Sequence, residues 1–143
     1  MEIRPCTIAE INESGLAEGY SEYAIEGFPV VQVQWERYAA MEAAGIIQCI
    51  GAFIDYQLVG FAVVMFSVSL HYGVPLAFSE SFFVLKQYRK TGAGMKLLKA
   101  IEQLAKDNGV AGVTITAAFD KELDAVLPKV GYKTTHRLYF KRV

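Results

Sequence analysis

Cysteine is scarce in this chain of 143 residues: Cys6 and Cys49 are the only two, and neither stands in a C-x-x-C pair or at ligand spacing from His71 or His136. That excludes a disulfide framework and a metal site of ordinary spacing, and leaves two reduced thiols with packing roles. No run reaches the roughly 18 uncharged apolar residues that a membrane helix needs, and the nearest candidate, Leu58 to Leu70, is too short. The start, Met1-Glu2-Ile3-Arg4-Pro5, lacks a basic segment followed by an apolar one, so no secretory signal and a cytoplasmic location are expected. No repeat, linker or low-complexity tract breaks the chain. With 53% hydrophobic and 13% aromatic residues it is too apolar for disorder, and its length suits one domain, 1–143, that buries its own core.

Bases are nearly missing from the first part of the chain. Residues 1–85 hold ten acids against only Arg4 and Arg37, whereas 86–143 hold twelve bases against five acids. Such asymmetry is common in chains that bind a polyanion, so nucleic acid is one alternative. Lys96, Lys99, Lys106 and Lys129, however, fall on outward helical positions and read as a solvated face. Arg89 and Lys90 differ, because they flank a glycine-bearing loop.

That loop lies in the stretch from Ser81 to Met95, SFFVLKQYRKTGAGM. The apolar run to Leu85 reads as a core strand, while Leu97, Leu98, Ile101, Leu104 and Ala105 recur at helical spacing. The first N–H groups of a helix have no intrahelical partner and sit at the positive end of its dipole, so this junction suits a phosphate. Gly92 and Gly94 would let the phosphate approach the backbone. The mononucleotide pattern G-x-x-x-x-G-K-[ST] is absent. The dinucleotide fingerprint fails too, with Leu97 where a small residue is needed and Thr114-Ile115-Thr116 where an acid should follow.

What fits is Arg89-x-x-Gly92-x-Gly94, the Q/R-x-x-G-x-G/A signature, followed by an amphipathic helix, a strand, a short helix and Lys129-Val130-Gly131-Tyr132. In these features the chain resembles the GNAT superfamily of N-acetyltransferases. The resemblance implies acetyl-CoA as co-substrate, no metal, and a pyrophosphate held by Arg89, Lys90, Thr91, Gly92, Ala93, Gly94 and Met95, with Asp120 at the start of the last helix also at the cofactor.

In chain order the pattern predicts a strand over Ile3–Pro5 and a helix from Ile8 to Leu16 capped by Thr7 with Glu10. A second helix is expected over Gln32–Ala44. Ile46–Asp55 and Leu58–Ser69 form a hairpin around Tyr56-Gln57, and Leu76–Leu85 returns after the turn at His71–Pro75. Helix Gly92–Asn108 is followed by a strand Val113–Ala117, a helix from Asp120 that Pro128 ends, and a closing strand or hairpin over Tyr132–Val143. The expected fold is α/β (α+β): a single mixed, mostly antiparallel sheet with helices on both faces and a splayed parallel strand pair.

In the family an amine attacks the thioester directly. The resemblance implies that backbone groups of Phe83 and Leu85, with Val84 between them, pair with pantetheine, and that an N–H here meets the developing oxyanion. Glu80 is the only acid between Asp55 and Glu102 and is the expected base, since apolar surroundings would suit a carboxylate to taking a proton near neutrality. A solvent-facing edge glutamate is the alternative, and His71 is a second candidate. The tyrosine usual in the family as general acid is replaced by Leu127, leaving Tyr88, Tyr132 and Tyr139 as substitutes. The acceptor is expected to be a small-molecule or peptide amine, of cationic character if the acidic N-terminal half lines its groove. A homodimer, a non-catalytic coenzyme A-binding module and a nucleic-acid-binding protein stay open as alternatives.

Overall fold

Thr7 begins the first helix as its sequence predicts. Its hydroxyl accepts from Glu10 N–H at 3.1 Å, and the Glu10 carboxylate accepts from Thr7 N–H at 2.8 Å, so two orphan donors of the helix start are satisfied together. The computed structural model describes residues 1–143. Its strands are β1 (Glu2–Cys6), β2 (Ile47–Ile54), β3 (Gln57–Val68), β4 (Pro75–Val84) and β5 (Val113–Ile115), and its α-helices are α1 (Ile8–Ser14), α2 (Trp35–Ala43), α3 (Ala93–Asp107) and α4 (Glu122–Val126). Three 3₁₀ segments, Leu16–Tyr23, Lys86–Thr91 and Leu127–Val130, join them.

The sheet runs β1-β2-β3-β4-β5, antiparallel except for the parallel β4–β5 pair. Its alternation sends the two faces to different helices. On one face Phe61, Val63 and Phe83 pack with Ile8, Ile11 and Leu16. On the other, Ala62, Val64 and Ala77 meet Leu97, Ile101 and Ala105 of α3. Each fully buried leucine or isoleucine there stabilises the fold by about 1.5–3 kcal/mol. Cys6 and Cys49, distant in sequence, stand opposite each other across β1 and β2 as free, buried thiols.

Several expectations are corrected. The hairpin turn is Asp55-Tyr56, both with positive φ (48° and 64°), and Gln57 already belongs to β3. A two-residue loop with positive φ at both positions matches the twist of its strands, which fixes the turn one residue earlier. Residues 31–34 carry no regular structure, so α2 starts at Trp35, and β5 is shorter than its apolar run. The closing strand over Tyr132–Val143 does not form: the segment carries no regular structure. β5 offers a ladder of only three residues, and Phe140 packs instead on Phe28, ring centroids 4.0 Å apart. A short half-exposed edge returns few hydrogen bonds for the entropy of ordering a strand on it.

Candidate active site

Val63 and Val64 are consecutive on β3 but pair with Ser81 and Ser79, so Glu80 is an extra residue in β4. This bulge exchanges which backbone groups face which neighbour. Before it, Ala77 N–H donates to Gly112 O on the β5 side. Beyond it, Leu85 N–H donates to Val59 O of β3 at 2.9 Å, while Val84 O points away from β3 and accepts from Arg89 Nε at 3.0 Å. By alternation, Phe82 and Val84 turn their N–H groups to the open side of β4, where Phe83 and Leu85 were expected to do so. The expectation came from the family resemblance, and the residue inserted at the bulge shifts the alternation by one.

The open side exists because β4 and β5 pair only over Ala77–Ser79 and Val113–Ile115. From Glu80 to Val84, β4 has no partner there, which is the expected splay. Ser79, at the point of parting, holds the one buried side-chain oxygen without a hydrogen-bond partner.

At the far end of the splay, Gly92 caps α3 with φ of 85°, a conformation costly for any residue with a Cβ. Lys96 N–H closes the first turn onto Gly92 O at 3.0 Å, leaving the N–H groups of Ala93, Gly94 and Met95 without helical partners. A Cβ on Gly94 would meet nothing nearer than the Phe82 ring, at 4.0 Å. The fold itself therefore leaves room beside Gly94. Lys90 is exposed, and the Thr91 hydroxyl donates to Tyr88 O at 2.6 Å. These features fit a pyrophosphate held by backbone amides.

Arg89 departs from its expected part as a free cation. Its Nη1 and Nη2 donate to the two carboxylate oxygens of Glu22 at 2.8 and 2.6 Å, and Nη1 lies 3.5 Å from Glu122. The hydrogen bonds to Glu22 hold the guanidinium charged and depress Glu22 below the ordinary carboxylate range. Arg89 thus ties the loop to the N-terminal 3₁₀ segment, to α4 and, through Val84 O, to β4. Asp120, in a left-handed turn with φ of 58°, donates its N–H to Asp124 Oδ2 at 2.9 Å, two positions before Glu122.

The Glu80 side chain lines a groove of about 340 Å³ shared with Tyr20, Val31, Val33, Tyr38 and Met41. Tyr38 OH donates to Glu80 Oε2 at 2.7 Å, and Ser81 Oγ donates to the same oxygen. The carboxylate is exposed to the groove, so the burial assumed from sequence is not found. Burial raises the hydroxyl pKa of Tyr38 and of Tyr20 above the usual phenol value, keeping both protonated. The groove wall approaches β4 closely because residue 19 is glycine: a Cβ there would lie 2.2 Å from the Phe83 ring.

The other candidates are not brought together with Glu80. Tyr132 OH donates to Glu102 Oε1 of α3 at 3.0 Å, and burial with that carboxylate raises its pKa. Tyr139 is 84% exposed in the irregular C-terminal segment, His71 lies in the β3–β4 turn, and Tyr88 packs on the α3 side of the sheet. Leu127 is buried. Sequence reasoning missed Tyr20, Tyr38 and Ser81. A signal existed for Tyr38, since Trp35, Tyr38 and Met41 share the packed face of α2 at helical spacing; the 3₁₀ segment carrying Tyr20 has none.

A family model for the acetyltransferase (GNAT) domain matches residues 16–142. The aminoglycoside N(6′)-acetyltransferase type 1 of Acinetobacter baumannii is 31% identical over 90 residues, which is 57% of this chain and 62% of that protein. The match thus spans less than two thirds of that relative's length. The crystal structure of a ribosomal-protein-alanine N-acetyltransferase from Brucella melitensis biovar Abortus 2308 aligns over 100% of both chains at a TM-score of 0.75 and 14% identity. An aminoglycoside N-acetyltransferase solved in complex with CoA covers 99% of this chain and 98% of its own, at a TM-score of 0.73 and 20% identity. The family match takes in the capped glycine loop, the bulged strand and the parting of β4 from β5 together, and the chain belongs to the GNAT acetyltransferase family.

Proposed function

We propose that this chain, as one domain, transfers an acetyl group from acetyl-CoA to the primary amine of a small-molecule acceptor. The observation that carries the reading is the bulge at Glu80. It sets one carboxylate at the junction of two open features, the splay between β4 and β5 and the groove under α2. The amides of Ala93, Gly94 and Met95 would hold the pyrophosphate, and N–H groups of Phe82 and Val84 would pair with the pantetheine arm. In the transfer the amine nitrogen bonds to the thioester carbon, the carbon–sulfur bond breaks, and Glu80 takes the proton that the amine sheds. The departing thiolate is tolerable near neutrality, an ordinary thiol having a pKa near 8.5, so solvent can protonate it. Leu127 in the usual tyrosine position is then no obstacle, and neither Tyr132 nor Tyr139 is required.

The experiment is calorimetric titration with acetyl-CoA, followed by assay against a panel of amines with wild type and Glu80→Gln. The reading expects binding in both proteins, turnover in wild type, and a fall in kcat/KM of roughly 10²-fold or more in the variant. Full activity of Glu80→Gln removes Glu80 as the base. Tight binding with no turnover on any amine favours the non-catalytic module, for which the missing tyrosine speaks.

A further inference from the structure

We infer that the acceptor is an amine with a single positive charge on an apolar or aromatic body, and that polyamines and aminoglycosides are poor acceptors. This rests on the reading of the Glu80 groove as the acceptor site. An ammonium group leaving bulk water needs a counter-charge or hydrogen-bond acceptors where it arrives. The groove offers one carboxylate, Glu80, and one oxygen of it already accepts from Tyr38 and Ser81. Of the N-terminal acids that suggested a cationic acceptor, Glu80 alone lines the groove, and three others are engaged elsewhere: Glu22 binds Arg89, Glu10 binds Arg4, and Glu42 accepts from Ile8 N–H.

The other charged residue lining the groove is Arg37, which is exposed and takes part in no ion pair. It repels a second ammonium and tolerates a neutral or anionic far end. The rest of the lining is Val31, Val33, Met41 and the rings of Tyr20 and Tyr38, which favour a hydrophobic body, with the neutral amides of Gln32 and Gln34, which add no second counter-charge. A volume of about 340 Å³ lies at the low end of small-molecule sites, about 300–1,000 Å³.

The test compares phenethylamine with spermidine and an aminoglycoside, using wild type and Arg37→Glu. Acetyl transfer and the amine-dependent change in melting temperature of the CoA-bound protein are both measured. The expected result is a kcat/KM at least about tenfold higher for phenethylamine, narrowed in Arg37→Glu by a rise in spermidine turnover. Preference of wild type for spermidine or the aminoglycoside overturns the inference and leaves acetyl transfer standing, as does a ratio that Arg37→Glu leaves unmoved. If no amine is acetylated but phenethylamine alone stabilises the CoA complex, the acceptor class survives and the transfer reading falls. If phenethylamine neither reacts nor binds, the inference fails.

Discussion

Arg89 and Glu22, 67 residues apart, meet through two hydrogen bonds of 2.8 and 2.6 Å, so the glycine-bearing loop is fastened to the segment that also carries Tyr20 of the groove. An anion placed on the loop competes with Glu22 for the guanidinium. Glu22→Gln is expected to bind CoA more tightly than wild type, by a few-fold, with a steeper dependence on salt because the freed guanidinium adds a screened attraction, as titration calorimetry at low and high ionic strength will show.

The same pair makes stability depend on pH in a definite direction. Glu22 has a depressed pKa in the folded state, so its contribution is present above the ordinary glutamate value near 4.3 and is lost as pH falls through the lower folded value. The carboxylate is partly exposed, which holds the effect to no more than about 1 kcal/mol. Melting curves should show Glu22→Gln below wild type at pH 6, with the gap closing toward pH 3.

Gly94→Asp separates fold from binding. The Cβ has open space, and an acid in the first turn of α3 suits the helix dipole, so the melting temperature should be unchanged or higher. The carboxylate occupies the place proposed for pyrophosphate, and acetyl-CoA binding should be lost in calorimetry. Unchanged affinity in the folded variant would move the cofactor off this loop.

Tyr38→Phe removes the hydroxyl that orients Glu80 without opening a cavity. A fall of about tenfold in kcat/KM with the KM for acetyl-CoA unaltered is expected, smaller than the loss in Glu80→Gln. Equal losses in the two variants would give Tyr38 a larger part than holding the carboxylate.

Cys6 and Cys49 are pushed up to about 12, first by burial. Their thiolate fraction at pH 8 is then on the order of 10³-fold or more below that of unfolded thiols, and alkylation of the native protein should be correspondingly slow and should accelerate in urea. Because only the unfolded chain releases these protons between pH 8.5 and 12, stability should decline as pH rises through that range.

The sequence by itself determined what depends on neighbours along the chain. The Thr7–Glu10 capping box, the length and buried face of α3 and the succession of strands and helices as far as β5 are local or periodic features, and each was legible in residue type and spacing. The family resemblance could likewise be read there, since its motif is a loop of consecutive residues. Only the tertiary structure decided matters that depend on register and on competition between distant partners. One bulged residue turned the free backbone groups from Phe83 and Leu85 to Phe82 and Val84. Glu22 took the Arg89 charge, and Tyr38, from a helix 42 residues away, took the Glu80 carboxylate. The C-terminal segment has β-branched and aromatic residues typical of a strand, yet Phe28 and the three-residue edge of β5 decided its place. A pattern of residue types states what a segment can pair with, whereas the free energies of all competing contacts select the pairing that forms.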